Sequence, residues 1–122
     1  MTPLETVHAF IAAIEAKDLD AALELVTDDI EYDNVPMPKA HGVAEVRAFL
    51  GPFLDGASEI EWVVHREAAA GDIVLNERTD RFLLGERWLE LPVAGVWQLR
   101  DGKIALWRDY FDLGQFNEQL AG

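Results

Sequence analysis

The chain opens on a helical pattern. Thr2-Pro3-Leu4-Glu5 has the form of a capping box, with Thr2 at the N-cap, proline at the first helical position and Glu5 placed to reach back. Val7, Phe10, Ile11 and Ile14 follow at i, i+3, i+4, i+7 spacing and lay one apolar stripe along that helix. Lys17-Asp18 breaks the pattern. Asp18 is placed to cap a short second helix carrying Ala22, Leu23, Leu25 and Val26, which Thr27-Asp28-Asp29 ends. Residues 30–35 alternate, with Ile30, Tyr32 and Asn34 on one face, and predict a strand that Pro36-Met37-Pro38 stops. Val43, Val46, Phe49, Leu50 and Phe53 predict a third helix over 42–54, with Gly51-Pro52 expected to end or kink it.

After Gly56 the period becomes two. Residues 60–65, 73–84, 87–99 and 103–111 read as four strands, with a turn at 68–72 and others at Gly85-Glu86 and Arg100-Asp101-Gly102. Asp-Gly in the last of these is a strong hairpin signal. Residues 115–120 predict a terminal helical turn. Helices first, then a strand and helix, then a four-strand meander describe an α+β fold. Helices would pack on one face of a curved, mostly antiparallel sheet, and the resulting cone can hold a cavity where the helices leave off. At 122 residues, one domain over 1–122 is expected.

Composition narrows the function. Half of the residues are hydrophobic and 27% are charged, which argues against disorder. Ten basic against 23 acidic residues give −13, a charge that repels phosphate backbones and anionic lipid, so neither nucleic acid nor a membrane is an expected partner. The chain has no cysteine, which removes disulfides, thiolate nucleophiles and zinc–sulfur sites. The opening MTPLETVHAF lacks the basic region and apolar stretch of a signal peptide, and no apolar run is long enough for a membrane span, so a cytoplasmic location is expected.

Strand parity sorts the candidate chemistry. On the strand 73–84 the even positions Val74, Asn76, Arg78, Asp80 and Phe82 share a face, so a cation and a carboxylate sit two residues apart between apolar neighbours. On the last strand Ala105, Trp107, Asp109 and Phe111 share a face, which leaves Asp109 as a lone carboxylate between aromatics. A charge in an apolar stripe is either paired or chemical. One reading makes Arg78 half of a structural ion pair with Asp80 or Asp109. The other is an active site of two carboxylates organised by one arginine, with Tyr32 and Asn34 facing the same cavity.

These residues resemble the limonene-1,2-epoxide hydrolase family. The likeness rests on Asn76-Glu77-Arg78-Thr79-Asp80, on Trp107-Arg108-Asp109-Tyr110-Phe111-Asp112, and on Tyr32 and Asn34 with one residue between them. Leu91-Pro92-Val93-Ala94-Gly95-Val96 and Asp101-Gly102-Lys103-Ile104 are similar too, so the resemblance spans about 32–116. It implies the cystatin-like cone of the nuclear-transport-factor-2, ketosteroid-isomerase and SnoaL-like superfamily, in agreement with the layout above. It also implies a reaction: one-step addition of water to an apolar epoxide, giving a vicinal diol, with no cofactor, no metal and no covalent intermediate. By resemblance Asp109 is the general base, Tyr32 and Asn34 hold the water, Asp80 is the general acid and Arg78 bridges the carboxylates. A homodimer is implied as well, and the stripe of Trp88, Leu89, Val96 and Trp97 is a candidate dimer face.

By parity the walls of an apolar pocket would be Trp62, Phe82, Leu91, Val93, Trp107 and Phe111. Ile14 and Phe53 would join them from the helices, with Phe116 as a lid; each of these residues suits plain core equally well. His8, His41 and His65 lie far apart without metal-ligand spacing, with His41-Gly42 reading as a helix-start turn. Ser58, the only serine, sits in no nucleophile elbow. Two alternatives stay open on the same fold. A ketosteroid-isomerase or dehydratase-like enzyme would need neutral donors at an oxyanion, and a small-molecule binding module would not need both carboxylates.

Overall fold

The computed structural model describes residues 1–122. Helix α1 spans Pro3–Glu15, α2 Leu19–Leu23 and α3 Gly42–Gly56, with α4 over Leu113–Ala121 at the end. The strands are β1 Val26–Asn34, β2 Ala40–His41, β3 Glu59–Ala70, β4 Ile73–Leu84, β5 Arg87–Arg100 and β6 Lys103–Tyr110. They form one six-stranded mixed sheet in the order β2-β1-β6-β5-β4-β3. The only parallel pair is β1 with β6. The fold is α+β, with the helices packed on a sheet that does not close. No helix is long and apolar enough to cross a membrane.

Local chemistry explains the elements. The capping box forms: the Glu5 N–H donates to Thr2 Oγ1 at 3.1 Å, and the Thr2 N–H donates to Glu5 Oε1 at 2.8 Å. Helix α1 turns its stripe onto the sheet, where Phe10 meets Trp97 and Trp107 edge-on at 5.5 and 5.0 Å. In the β5–β6 hairpin Asp101 and Gly102 both take positive φ, +53° and +81°, as a type I′ turn requires. Strand β3 is a sheet edge, and Glu15 covers part of it by accepting the Trp62 N–H at 2.9 Å.

The differences from the sequence reading have physical reasons. The second helix ends at Leu23 rather than continuing through Val26, because Val26 already pairs with Ile104 of β6. Pro52 does not end α3. The carbonyl that loses its partner belongs to Ala48, an exposed residue, so water can satisfy it. Strand β3 runs to Ala70 through the expected turn. Its last six residues are exposed, so no burial pattern marks them, and the ladder from Arg66–Glu77 to Ala70–Ile73 holds them. Helix α4 starts two residues early because Asp112 caps it, accepting the Gln115 N–H at 3.1 Å. The two-residue strand β2 was not foreseen. Leu89 and Trp97 are core residues, and Trp88 lies under the Arg81 guanidinium at 4.1 Å, so the proposed dimer stripe does not exist as one surface.

Candidate active site

The site grows from strand register. Even residues of β4 face inward, so Val74, Asn76, Arg78, Asp80 and Phe82 are all buried in one row. Asn76 pairs across with Gly95 of β5, and Gly95 pairs with Asp109 of β6. The parallel β1–β6 ladder then sets Tyr32 beside Trp107 and Asn34 beside Asp109. Six polar side chains from three strands, Tyr32, Asn34, Asn76, Arg78, Asp80 and Asp109, thus meet on the inner sheet face.

Arg78 is at the centre, with a fully buried side chain. Its Nε donates to Asp80 Oδ1 at 2.9 Å and its Nη2 to Asp80 Oδ2 at 3.0 Å, a bidentate pair. Nη2 also donates to Asp109 Oδ2 at 2.9 Å, so one guanidinium bridges both carboxylates. The cation lies over Trp62 at 5.1 Å and over Trp97 at 5.6 Å. Asp80 and Asp109 have only 7% and 5% of their side chains exposed, which is where a lone charge would be untenable. Asp109 Oδ1 is buried without a protein partner. Tyr32 stacks on Trp107 at 3.9 Å, and its hydroxyl accepts from Asn34 Nδ2 at 2.8 Å, leaving its own proton to donate.

The electrostatics follow from burial and neighbours. Burial pushes the Asp80 carboxyl up to about 6, Arg78 pulls against that, and the Asp109 charge adds to the rise. Burial and the Asp109 charge hold the Tyr32 phenol well above its ordinary value, so it stays a donor. Burial alone would lower Arg78, but Asp109 and Asp80 outweigh it and hold the guanidinium charged. The arrangement offers two carboxyl groups, one with a raised proton affinity and one with an oxygen free of protein partners, beside neutral donors within one patch.

That patch opens onto a cavity of about 60 Å³. Of the residues expected to line it, Trp62, Phe82, Leu91, Val93 and Trp107 do so from the strands. Phe111, Phe53 and Phe116 line it as well, with Phe116 stacked on Phe53 at 5.8 Å and edge-on to Phe111 at 6.0 Å. Ile14 does not line it. That residue is fully buried under α1, where the helix lies directly on the sheet and leaves no space. The sequence reading missed Phe49, Leu50, Leu54 and Met37 as walls. The first three sit on the α3 face at i, i+4 spacing with Phe53 or each other, a signal that was present. Met37 comes from the Pro36–Pro38 loop, where periodicity gives none. The role of Asn76 was also unread: its Oδ1 accepts from Arg78 Nη1 at 2.9 Å and from Trp97 Nε1 at 3.2 Å.

Comparison with known proteins agrees with this geometry. The limonene-1,2-epoxide hydrolase catalytic domain matches residues 1–121. The epoxide hydrolase EphG of Mycobacterium tuberculosis is 36% identical over 107 residues, 88% of this chain and 71% of that protein. The structure of an M. tuberculosis LEH-like epoxide hydrolase superposes with a TM-score of 0.84 at 34% identity, over 98% of this chain and 90% of the other. An NTF2-like protein from Burkholderia pseudomallei shares the fold at a TM-score of 0.87 and 20% identity, over 100% and 99% of the two chains. With the match running the length of the fold, the chain belongs to the limonene-1,2-epoxide hydrolase family and is a hydrolase.

Proposed function

We propose that this hydrolase adds water to a compact apolar epoxide in one step, giving a vicinal diol. The observation that carries the reading is the single buried guanidinium bonded to two carboxylates at the floor of an apolar cavity, one carboxylate keeping a free oxygen. Epoxide opening needs a base at the water and an acid at the ring oxygen, each typically worth about 10²–10⁴-fold. Arg78⁺, Asp109⁻ and protonated Asp80 sum to zero, a charge state that suits a dry site.

In this reading the water lies against the Asp109 carboxylate, beside the hydrogen-bonded Tyr32 and Asn34 side chains. Asp109 takes one of its protons as the water oxygen attacks an epoxide carbon. The ring C–O bond breaks, and its electron pair takes the proton of Asp80. The product is a diol, with Asp109 protonated and Asp80 ionised, and exchange with solvent restores the starting state. The chemistry calls on no cofactor. The narrow cavity and its Phe53, Phe111 and Phe116 walls favour small cyclic or short aliphatic epoxides.

A homodimer also belongs to the reading. The outer sheet face carries Leu75, Ile73 and Tyr110 exposed at 49%, 42% and 47%, with Leu75 in register with Val96. A second copy would cover such a patch.

The experiment is diol formation from limonene oxide, cyclohexene oxide, styrene oxide and a steroid epoxide. Turnover is expected to be best on the smaller rings and lost in Asp80→Asn. Absence of any diol from the whole panel would overturn the proposed reaction.

A further inference from the structure

Asn76 holds an unusual position in this site. It is 6% exposed, on the same inward row as Arg78 and Asp80, yet carries no charge. Its Oδ1 accepts from both Arg78 Nη1 and Trp97 Nε1. Both partners are donors only, which fixes the amide with its oxygen toward them. The Nδ2 group is then buried with no partner. An aspartate of the same shape would accept both bonds, make them stronger and leave no orphaned donor. The chain instead keeps an unsatisfied amine at the heart of the site. What the amide supplies that a carboxylate cannot is neutrality.

The neighbours show what the amide holds in place. A Cβ on Gly95 would come within 2.4 Å of Arg78 Nη1, 2.6 Å of Asn76 Oδ1 and 3.0 Å of Asp109 Oδ1. Guanidinium, amide and carboxylate therefore all press onto the bare Gly95 backbone. Trp97 supports the amide from the core side, stacked on Trp107 at 5.3 Å and fully buried, so it cannot move away. Arg78 is thus held on three sides: Asp80 at Nε and Nη2, Asp109 at Nη2, and Asn76 at Nη1.

We propose that Asn76 is a positioning residue: a neutral acceptor, clamped by Trp97, that fixes the guanidinium plane across Gly95 without taking a share of its charge. The whole positive charge is then divided between Asp80 and Asp109. The inference rests on the acid–base reading of those two carboxylates given above. A third carboxylate on the same guanidinium would raise the proton affinity of both and move the working range of the site upward in pH.

The test compares wild type with Asn76→Asp and Trp97→Phe, using the best epoxide of the panel. In Asn76→Asp the whole pH profile of kcat/KM is expected to move up by about one unit, so that activity on the alkaline side of pH 6 rises relative to wild type, with KM within about threefold. Trp97→Phe removes the N–H without adding a charge, at the cost of a smaller ring against Trp107 and Arg78. It is expected to lower kcat about three- to tenfold with KM and the profile's position unchanged. Carbon NMR titration of the Asp80 carboxyl, without substrate, gives the same answer independently of turnover: its midpoint is expected to rise in Asn76→Asp.

A folded Asn76→Asp whose profile and Asp80 titration superimpose on wild type would overturn the proposal. So would a Trp97→Phe enzyme with full kcat, and that variant decides the matter should Asn76→Asp not fold. If wild type turned over no epoxide while the Asp80 titration still moved, the proposed reaction would fail and the positioning role would stand.

Discussion

Two of the three arginines that bridge a pair of carboxylates lie on opposite faces of the same sheet. Arg78 points inward and bonds Asp80 and Asp109. Arg108, next to Asp109 in β6, points outward and bonds Asp33 at 2.8 Å and Glu31 at 3.0 Å. The chemical composition is the same and the environment is not. Arg78 and its partners are nearly sealed, while Arg108 and Glu31 each keep about 30% of their side chains in solvent. Water screens the Arg108–Glu31 pair, which is worth little, while Asp33 keeps only 10% of its side chain exposed and depends more on Arg108. In the inner cluster a charge cannot be left alone, so burial raises the proton affinity of Asp80 while the guanidinium stays charged. Alternation along β6 alone decides which cluster is sealed: Asp109 and Arg108 are one residue apart and face opposite sides of the sheet.

The contrast can be broken most severely at Arg78. Arg78→Gln strands the Asp109 charge in the interior. It is expected to destabilise the fold by about 3–5 kcal/mol in urea denaturation and to abolish turnover.

Next come the carboxylates. Asp80→Asn and Asp109→Asn are each expected to lower kcat by about 10²–10⁴-fold while the circular dichroism stays native. The pH dependence carries a sign. In the proposed mechanism Asp80 is protonated to act as the acid, so kcat/KM is expected to fall as pH rises through about 6, and that limb to disappear in Asp80→Asn. Stability follows the same group. The native state holds this proton more tightly than the unfolded chain does, so the Asp80 contribution to stability declines as pH rises from 3.8 to about 6.

The smallest effect belongs to the outer cluster. Arg108→Gln is expected to cost about 1–2 kcal/mol, mostly through the half-stranded Asp33, and to leave kcat within about twofold, read by denaturation and steady-state rates. A large loss of turnover there would erase the distinction between the two faces.

Much of this was legible in the sequence, for a reason that differs by residue. Strand parity alone put Asn76, Arg78 and Asp80 on the inner row of β4 and Asp109 between Trp107 and Phe111, because a half-buried antiparallel strand must alternate. Periodicity does not carry partner choice. It left open whether Arg78 meets one carboxylate or two, and only the β4–β5–β6 register settles that it reaches both. Ile14 shows the converse limit. Its spacing marks a buried face correctly, but whether that face meets solid core or a cavity depends on how closely α1 lies on the sheet. Met37 and the outer half of β3 carried no periodic signal, since one sits in a proline loop and the other is exposed on both faces. Asn76 was in plain view in the motif, yet its meaning depended on Trp97, 21 residues away in the chain.

The claim that the inner cluster directs water itself onto the substrate is tested by a single turnover in H₂¹⁸O with enzyme in excess over epoxide. The account predicts one ¹⁸O in the diol from the first turnover and no label in peptides containing Asp80 or Asp109. An unlabelled diol, with ¹⁸O appearing in either carboxyl, would show that an aspartate attacks the epoxide and would contradict it.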